Sequence, residues 1–311
     1  MLRPPEGTAA RGVIHFLGGA FVGAAPHLTY SYLLSGLAEV GFVVVATPYQ
    51  LGFDYLQVCD AILERFELAA LPLAEEYGAL PVIGIGHSLG ALLQLLITCL
   101  FPDTPRAANA LVSFNNKPVK QAAAEAIWEA RTSAMDLVES FVKSPLAPAA
   151  AETELLPLAK QALELVEQLP PLFQQVADGA REFTPTPDEV EEVVRRMYRA
   201  RRTLVVRFDN DSIDESEEVR EVIQAGKTLL RMRRPMVDMD LRYEVLTGNH
   251  ITPLTQDIFT PPQPLAGPLP DACPIRQRAR QDFLRTVNDL GQVLVEWLEE
   301  GLSMTSAYNP Q

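Results

Sequence analysis

The chain has 311 residues and a formal net charge of −14 at pH 7, with 48% hydrophobic and 21% charged residues. This composition is that of a globular protein that can form one large domain or a domain with an insertion. The acidic excess, and the lack of a basic stripe with interleaved aromatic residues, argue against nucleic acid as a partner and against anionic membrane surfaces.

No segment of the sequence has the length and apolar character of a signal peptide or of a membrane span. We therefore expect a cytoplasmic protein without stable membrane insertion. Three scattered cysteines, Cys59, Cys99 and Cys273, favour buried thiols in a reducing compartment. The sequence contains neither a Cys-x-x-Cys nor a His-Glu-x-x-His motif. We expect no metal and no cofactor.

Apolar strand patterns and helical patterns alternate through the first part of the chain. The predicted strands cover residues 11–17, 42–47, 81–86 and 110–114, and the predicted helices between them cover residues 30–40, 55–77 and about 89–101. Asp54 is a suitable N-cap for the second of these helices. Apolar strands that alternate with helices are typical of a parallel sheet covered on both faces.

The alternation stops after about residue 115, and only helical patterns follow as far as residue 201. A crossover between parallel strands needs only a dozen or more residues, so this block predicts a helical cap inserted into the core. The apolar faces of the cap indicate an acyl or lipid-like substrate. We divide the chain into residues 1–115, the first part of the core, residues 116–201, the cap, and residues 202–311, the second part of the core.

The second part of the core resumes the alternation. Strand patterns cover residues 203–208 and 239–246, and helical patterns cover residues 214–230 and 275–301. The later strand alternates like a half-exposed edge strand. A proline-rich loop over residues 261–274 precedes the last helix. The fold class is therefore α/β, with a mostly parallel sheet of about six strands flanked by helices.

Ser88 lies in the segment Gly86-His87-Ser88-Leu89-Gly90, between an apolar strand and an apolar helix. A serine on so abrupt a strand-to-helix turn has a strained backbone, and the small residues Gly86 and Gly90 let the strand and helix approach closely. The start of the helix adds N–H groups where negative charge can develop. This context predicts a nucleophile elbow with Ser88 as the nucleophile.

A serine hydroxyl needs a base, and the chain has only four histidines. His15 lies inside the first strand and is expected to be a core residue, and the side chain of His87 is expected to point away from the neighbouring hydroxyl. His27 precedes the nucleophile and is a candidate for lining a pocket. His250 follows the last strand in Gly248-Asn249-His250, where a base would be presented to the serine. We assign His250 as the base.

The acid that orients the base should follow the strand over residues 203–208. Three aspartates occur there, and Asp211 is the best placed, with Asp209 as the alternative. Asp214 is expected to cap the next helix. The chain order Ser88, Asp211, His250 is the order in which such a triad occurs on an α/β sheet.

The glycine-rich loop after the first strand is the candidate oxyanion hole. Gly18, Gly19 and Ala20 lack bulky side chains, so their backbone N–H groups can approach a reacting carbonyl oxygen. We expect the Leu89 N–H to act together with the N–H of Gly19 or Ala20. Phe21 in the same loop, together with His27, is predicted to contact substrate.

These motifs resemble those of the α/β-hydrolase superfamily. The elbow around Ser88, the acid loop at Phe208-Asp209-Asn210-Asp211 and the histidine loop fit its pattern, and Gly18-Gly19-Ala20-Phe21 is similar to its oxyanion loop. The resemblance implies a shortened hydrolase sheet. The sequence of the first loop, and Gly-Asn-His-Ile-Thr-Pro-Leu near the end, resemble those of a little-characterised branch of this superfamily from cyanobacteria and chloroplasts. That resemblance implies a phototroph source, with a stromal location in a plant or alga.

The sequence predicts a serine hydrolase that cleaves a carboxylic ester through an acyl-enzyme, with a small-molecule ester or acyl compound as its substrate. Thioester cleavage and acyl transfer use the same residues, so both stay open. A further alternative is a binding or assembly protein that keeps the fold with little or no catalysis. The sequence indicates no particular protein partner.

Overall fold

Six parallel strands form one sheet in the order β2-β1-β3-β4-β5-β6, so β6 is an edge strand. The structure is a computed structural model that describes residues 1–119, 121, 175, 179–234, 238–257 and 274–307. The strands are β1 Gly12–Leu17, β2 Phe42–Ala46, β3 Val82–His87, β4 Ala108–Val112, β5 Arg202–Phe208 and β6 Asp240–Leu246. The predicted α/β fold class and strand number are confirmed.

Helices precede or follow each strand, as the alternation predicts. Within the described residues they are α1 Pro26–Thr29, α2 Ser31–Glu39, α3 Tyr55–Tyr77, α4 Leu89–Leu100, α5 Pro187–Met197, α6 Ser216–Arg233 and α7 Pro274–Ala307. Helix α3 begins as predicted, because the Asp54 carboxylate accepts the N–H groups of Leu56 at 2.9 Å and Gln57 at 3.1 Å. Among the described helices, none has the length and apolarity that crossing a membrane requires.

The helices cover both faces of the sheet. Helices α2 and α7 pack on one face, where Trp297 is fully buried with Phe16 and Val206. Helices α3 to α6 pack on the other face, which includes the predicted buried thiols Cys59 and Cys99. Burial on both faces explains why β1 to β4 are mostly apolar along their length, whereas β6, at the edge of the sheet, alternates and is half-exposed. Cys273 lies outside the described residues.

Helix α5 falls in the range predicted for the cap, residues 116–201. Its Val190 and Val194 are buried in the same cluster as residues of α4 and α6, so this helix belongs to the layer beside the sheet. Most of the remaining cap lies outside the described residues, as does almost all of the loop predicted over residues 261–274. The cap and the domain boundaries drawn from it stay predictions.

His15 is a core residue, as the sequence predicts. Its Nδ1 accepts a hydrogen bond from the Arg106 guanidinium at 2.7 Å, and its Nε2 lies 3.1 Å from the Thr47 hydroxyl. The ring also stacks on Phe66, with 4.0 Å between the ring centroids. Burial, followed by the neighbouring charge of Arg106, lowers the pKa of His15 well below its ordinary value. The imidazole is therefore a neutral structural group between the sheet and the helices.

The glycines on either side of Ser88 let α4 pack directly on the strands. A Cβ at Gly86 would lie 2.5 Å from the Ala91 Cα, and a Cβ at Gly90 would overlap the carbonyl oxygens of Leu17 and Gly18. Neither neighbour is the flexible end of a side chain, so relief would require movement of the backbone. This contact seats the start of α4 against the end of β1.

We expect Gly90→Ala to lower the free energy of unfolding by about 3 kcal/mol, because the added methyl group overlaps backbone carbonyls. Gly36→Ala is the matched control, since Gly36 lies within α2 and a Cβ there meets nothing within 4 Å. It should raise the free energy of unfolding by up to about 1 kcal/mol. Urea denaturation of both variants measures this, and equal stability of the two would contradict the packing argument.

Candidate active site

Ser88 occupies a strained turn between β3 and α4. Its backbone dihedrals are φ 55° and ψ −124°, which a residue with a side chain rarely adopts. The Ser88 N–H donates to the Val112 carbonyl at 2.9 Å and joins the turn to the neighbouring strand β4. The strained backbone predicted for this residue is confirmed. Strain of this kind persists only where surrounding contacts enforce it, and the packing of Gly86 and Gly90 supplies those contacts.

The loops that follow β5 and β6 lie side by side, because Phe208 and Leu246 end these strands in register. The Asp209 N–H donates to the Leu246 carbonyl at 2.9 Å, and the Gly248 N–H donates to the Asp209 carboxylate at 3.1 Å. Asp209, the alternative acid, therefore joins the two loops. Its described carboxylate contact is with the backbone of the second loop and not with an imidazole.

Asp211 and His250 meet across these loops. The His250 Nδ1 lies 2.8 Å from the Asp211 Oδ2, and both residues are buried. A carboxylate oxygen only accepts hydrogen bonds, so Nδ1 carries the proton and donates it. In the neutral ring this leaves a lone pair on Nε2, the atom a general base would use. The sequence analysis predicts that Asp211 and His250 are partners, and in the structure they are hydrogen-bonded to each other.

The Asp211 carboxylate is stabilised as an anion despite its burial. Burial acts to raise its pKa, but the hydrogen bond and charge of His250, together with the Ile213 N–H, hold the pKa below its ordinary value. The Ile213 N–H donates to Asp211 Oδ1 at 3.2 Å. Asp211 is therefore ionised at neutral pH and can orient and stabilise an imidazolium.

Ser113 is a buried polar residue near the candidate pair that the sequence analysis did not single out. It follows β4, is fully buried, and has a φ of 48°. Its N–H donates to the Val206 carbonyl at 2.8 Å, which ties the end of β4 to β5, the strand that leads to the acid loop. The available signal was a polar residue ending an apolar strand, Ala110-Leu111-Val112-Ser113, between the strands that carry Ser88 and Asp211.

Asp214 directly precedes Glu215, the N-cap of α6, so the prediction that Asp214 caps this helix is wrong by one position. The Asp214 carboxylate accepts the Ser216 N–H at 3.0 Å and the Ser216 hydroxyl at 2.7 Å. The side chain is almost completely buried, and burial raises its pKa to about 6, with the charge of Asp211 acting in the same direction. Asp214 has no direct contact with His250 within the described hydrogen bonds, so it is a structural carboxylate beside the candidate pair.

His87 joins the elbow to the base loop. Its Nε2 lies 2.9 Å from the His250 carbonyl oxygen, and the rings of His87 and His250 have centroids 4.9 Å apart. Its Nδ1 lies 2.8 Å from the Tyr30 hydroxyl. Burial, reinforced by the charge of His250, lowers the pKa of His87 to about 3. His87 is therefore neutral. Because it directly precedes Ser88, its hydrogen bond to the His250 carbonyl holds the base loop close to the elbow.

The glycine-rich loop lies against Ser88, since a Cβ at Gly19 would be 3.2 Å from the Ser88 Cβ. The Gly19 N–H donates to the Tyr30 hydroxyl at 2.8 Å, which favours Ala20 over Gly19 as the oxyanion donor. The choice between the two stays a prediction. Among the residues that the structure describes, neither the Ala20 N–H nor the Leu89 N–H donates a hydrogen bond.

The two predicted substrate contacts differ in their surroundings. Phe21 is the central residue of a γ-turn with φ 59° and ψ −58°, closed by the Val22 N–H bonding to the Ala20 carbonyl at 2.6 Å. This strained turn directly follows the candidate donor Ala20. His27 lies in α1, and its side chain is exposed. A substrate contact by either residue stays a prediction.

Among the described residues, no group of three or more His, Cys, Asp or Glu side chains could hold a metal ion.

The parallel sheet, the strained turn at Ser88 and the paired loops after β5 and β6 define an α/β-hydrolase fold. The chain belongs to the family described as "Protein of unknown function (DUF1350)", whose model matches residues 5–300. No curated protein sequence matches the chain.

Several solved structures are similar to this chain at low identity. A monoacylglycerol lipase from Paleococcus ferrophilus is 15% identical, with a TM-score of 0.47 over 95% of this chain and 96% of the other. An enol-lactonase from Burkholderia xenovorans LB400 is 14% identical, with a TM-score of 0.46 over 96% and 94%. MenH from S. aureus is 13% identical, with a TM-score of 0.45 over 95% and 96%. The assignment of the fold rests on the topology and not on these values.

Burial of Asp214 makes a pH-dependent contribution to stability. Because its pKa rises from the ordinary 3.8 to about 6, the folded chain binds this proton more tightly than the unfolded chain. The resulting stability is complete below pH 3.8 and is lost as the pH rises through 6. Between these values, we expect the free energy of unfolding to decline by about 2–3 kcal/mol more in the wild type than in Asp214→Asn. Urea titrations at several pH values measure the difference, and parallel curves would contradict it.

Proposed function

We propose that the protein is a serine hydrolase that cleaves a carboxylic ester through an acyl-enzyme. Ser88 is the nucleophile, His250 the general base and Asp211 the residue that orients the base. The backbone N–H groups of Leu89 and Ala20 are the proposed donors to the oxyanion. The substrate is a small ester or acyl compound.

The proposed reaction follows from these roles. His250 Nε2 takes the proton of the Ser88 hydroxyl while the oxygen attacks the substrate carbonyl, and the Asp211 carboxylate stabilises the imidazolium that forms. The two N–H groups bind the carbonyl oxygen as it becomes an oxyanion. His250 then returns the proton to the leaving alcohol, and Ser88 keeps the acyl group. Water, activated by the same base, attacks the acyl-enzyme and restores the serine.

The observation that carries the proposal is the 2.8 Å contact between His250 Nδ1 and a buried, ionised Asp211. This contact sets the tautomer in which the other nitrogen can accept a proton. The same His250 contacts His87, which directly precedes Ser88. The pair is buried and contacts the residue that precedes the strained Ser88. An apolar contact could fill this space at a lower desolvation cost, so the buried charge favours a functional role.

We expect the wild type, but not Ser88→Ala, to react with a fluorophosphonate probe, because the probe requires an activated serine. His250→Ala should label at least about 1,000-fold more slowly. Ser303→Ala is the control, since this serine lies on the exposed side of α7 and bonds only the Glu299 carbonyl among described groups. Labelling is measured by gel fluorescence and intact mass. Labelling of Ser88→Ala at the wild-type rate would refute the mechanism, and an unreactive wild type would favour the binding-protein alternative.

The two neighbouring aspartates provide a matched pair. Asp211→Asn should lower kcat for a short p-nitrophenyl ester by about 1,000-fold or more, because an amide cannot hold the imidazole in the required tautomer. Asp209→Asn should lower kcat by less than about tenfold, since among the described residues its carboxylate bonds only the Gly248 N–H of the base loop. Steady-state kinetics at pH 7–8 distinguish the two. A larger loss in Asp209→Asn would show that the acid is assigned to the wrong residue.

Thioester cleavage and acyl transfer to an acceptor other than water use the same three residues. A panel that compares oxygen esters with thioesters of equal acyl length, with and without alcohol or amine acceptors, separates these reactions from ester hydrolysis. An acyl-chain series on the preferred leaving group then tests the acyl or lipid-like substrate suggested by the sequence. The phototroph source implied by the sequence stays a prediction.

A further inference from the structure

The peptide group that joins Gly18 to Gly19 is held at both of its polar ends by tyrosine hydroxyls. The Tyr49 hydroxyl donates to the Gly18 carbonyl at 2.7 Å, and the Gly19 N–H donates to the Tyr30 hydroxyl at 2.8 Å. The carbonyl of one residue and the N–H of the next belong to the same planar unit. Two side chains from different elements therefore fix one peptide plane.

The glycines of this loop provide space for the tyrosine rings. A Cβ at Gly18 would lie 2.6 Å from the Tyr30 Cε2, and a Cβ at Gly23 would lie 2.6 Å from the Tyr49 Cε1. Both tyrosines are buried. The glycine-rich composition therefore does not make the loop free to move, because each ring fills the space that a side chain would take.

The direction of every hydrogen bond from Tyr30 to His250 follows from the groups involved. The His250 carbonyl only accepts, so His87 Nε2 carries the proton and donates at 2.9 Å. In the neutral ring, His87 Nδ1 must then accept, and it does so from the Tyr30 hydroxyl at 2.8 Å. Tyr30 has one proton to donate, so its oxygen accepts the Gly19 N–H. One continuous chain joins the oxyanion loop, the elbow and the base loop.

We propose that Tyr30 and Tyr49 are positioning residues that fix the Gly18–Gly19 peptide, so that the next N–H, that of Ala20, is held ready for the oxyanion. Tyr30 acts in addition through His87 on the loop that carries His250. This inference rests on the proposed function. A glycine pair would otherwise sample many backbone conformations, and a donor that must reorganise during the reaction stabilises the transition state less.

The test removes one hydroxyl at a time and keeps each ring in place. Tyr30→Phe and Tyr49→Phe should each lower kcat for a short p-nitrophenyl ester by roughly tenfold or more, with KM changed by less than about threefold. The rate of fluorophosphonate labelling should fall in parallel. Because both hydroxyls hold the same peptide, the double variant should lose less activity than the product of the two single losses.

Two other tyrosines serve as controls. Tyr32→Phe removes a hydroxyl that bonds Asn288 on the exposed side of α2, and Tyr198→Phe removes one that bonds Asn109 and Thr203 in the core. Both should retain kcat within about twofold. Tyr198→Phe, like the two test variants, removes a buried hydroxyl. Its melting temperature therefore shows how much stability is lost when such a hydroxyl is removed away from the candidate site. If Tyr30→Phe and Tyr49→Phe lose stability like Tyr198→Phe but keep wild-type kcat, their role is structural and the proposal is wrong.

Nuclear magnetic resonance gives a readout that does not need activity. We expect the side-chain nitrogen shifts of His87 at pH 7 to be those of the Nε2–H tautomer. In Tyr30→Phe, the Gly19 amide should exchange with solvent at least about tenfold faster than in Tyr198→Phe. An Nδ1–H tautomer in the wild type, or unchanged Gly19 exchange, would overturn the proposal. An unreactive wild type that shows the expected shifts and exchange would instead reject the proposed function and leave the link between the loops established.

Discussion

The hydrogen bond between His250 and Asp211 is the contact on which the candidate site depends. A carboxylate removed from water is costly unless hydrogen-bond donors surround it, and here the His250 imidazole and the Ile213 N–H supply them. These donors come from the loops that follow two adjacent strands, β5 and β6. The parallel sheet is therefore what makes a buried anion tolerable at this position, because it brings the strand ends to one edge.

Strain at two residues is supported by close packing around them. Ser88 and Phe21 both have positive φ values, and each lies where neighbouring glycines allow direct contact between backbones or with a ring. The energy of such conformations has to be offset by contacts elsewhere. At Ser88 the offsetting contacts are those of α4 with β1 and β3. At the glycine-rich loop they are the two tyrosines, so the loop and the elbow are braced by different parts of the core.

Much of this arrangement could be predicted from the sequence, because it depends on local patterns and on chain order. The motif around Ser88 contains its own turn chemistry, and Asp211 and His250 each follow a recognisable strand. The partners of the Gly19 amide and of His87 could not be predicted in this way. Tyr30 looks like an ordinary apolar-face residue of a helix start, and nothing in its neighbourhood indicates a hydroxyl aimed at a loop eleven residues earlier and at a histidine far along the chain. Ser113 was missed for the same reason, since its conformation and burial are set by neighbouring strands.

The position of β6 at the edge of the sheet has a consequence for how the protein would lose the proposed activity. In the described sheet this strand pairs only with β5 and is largely half-exposed, whereas β3, which leads to Ser88, is paired on both sides and buried. Marginal strands detach at a lower free-energy cost than central ones. Detachment of β6 would carry His250 away and leave the serine in place. Mild denaturant should thus abolish the proposed activity reversibly while most of the secondary structure persists. Loss of activity would then occur at a lower denaturant concentration than global unfolding.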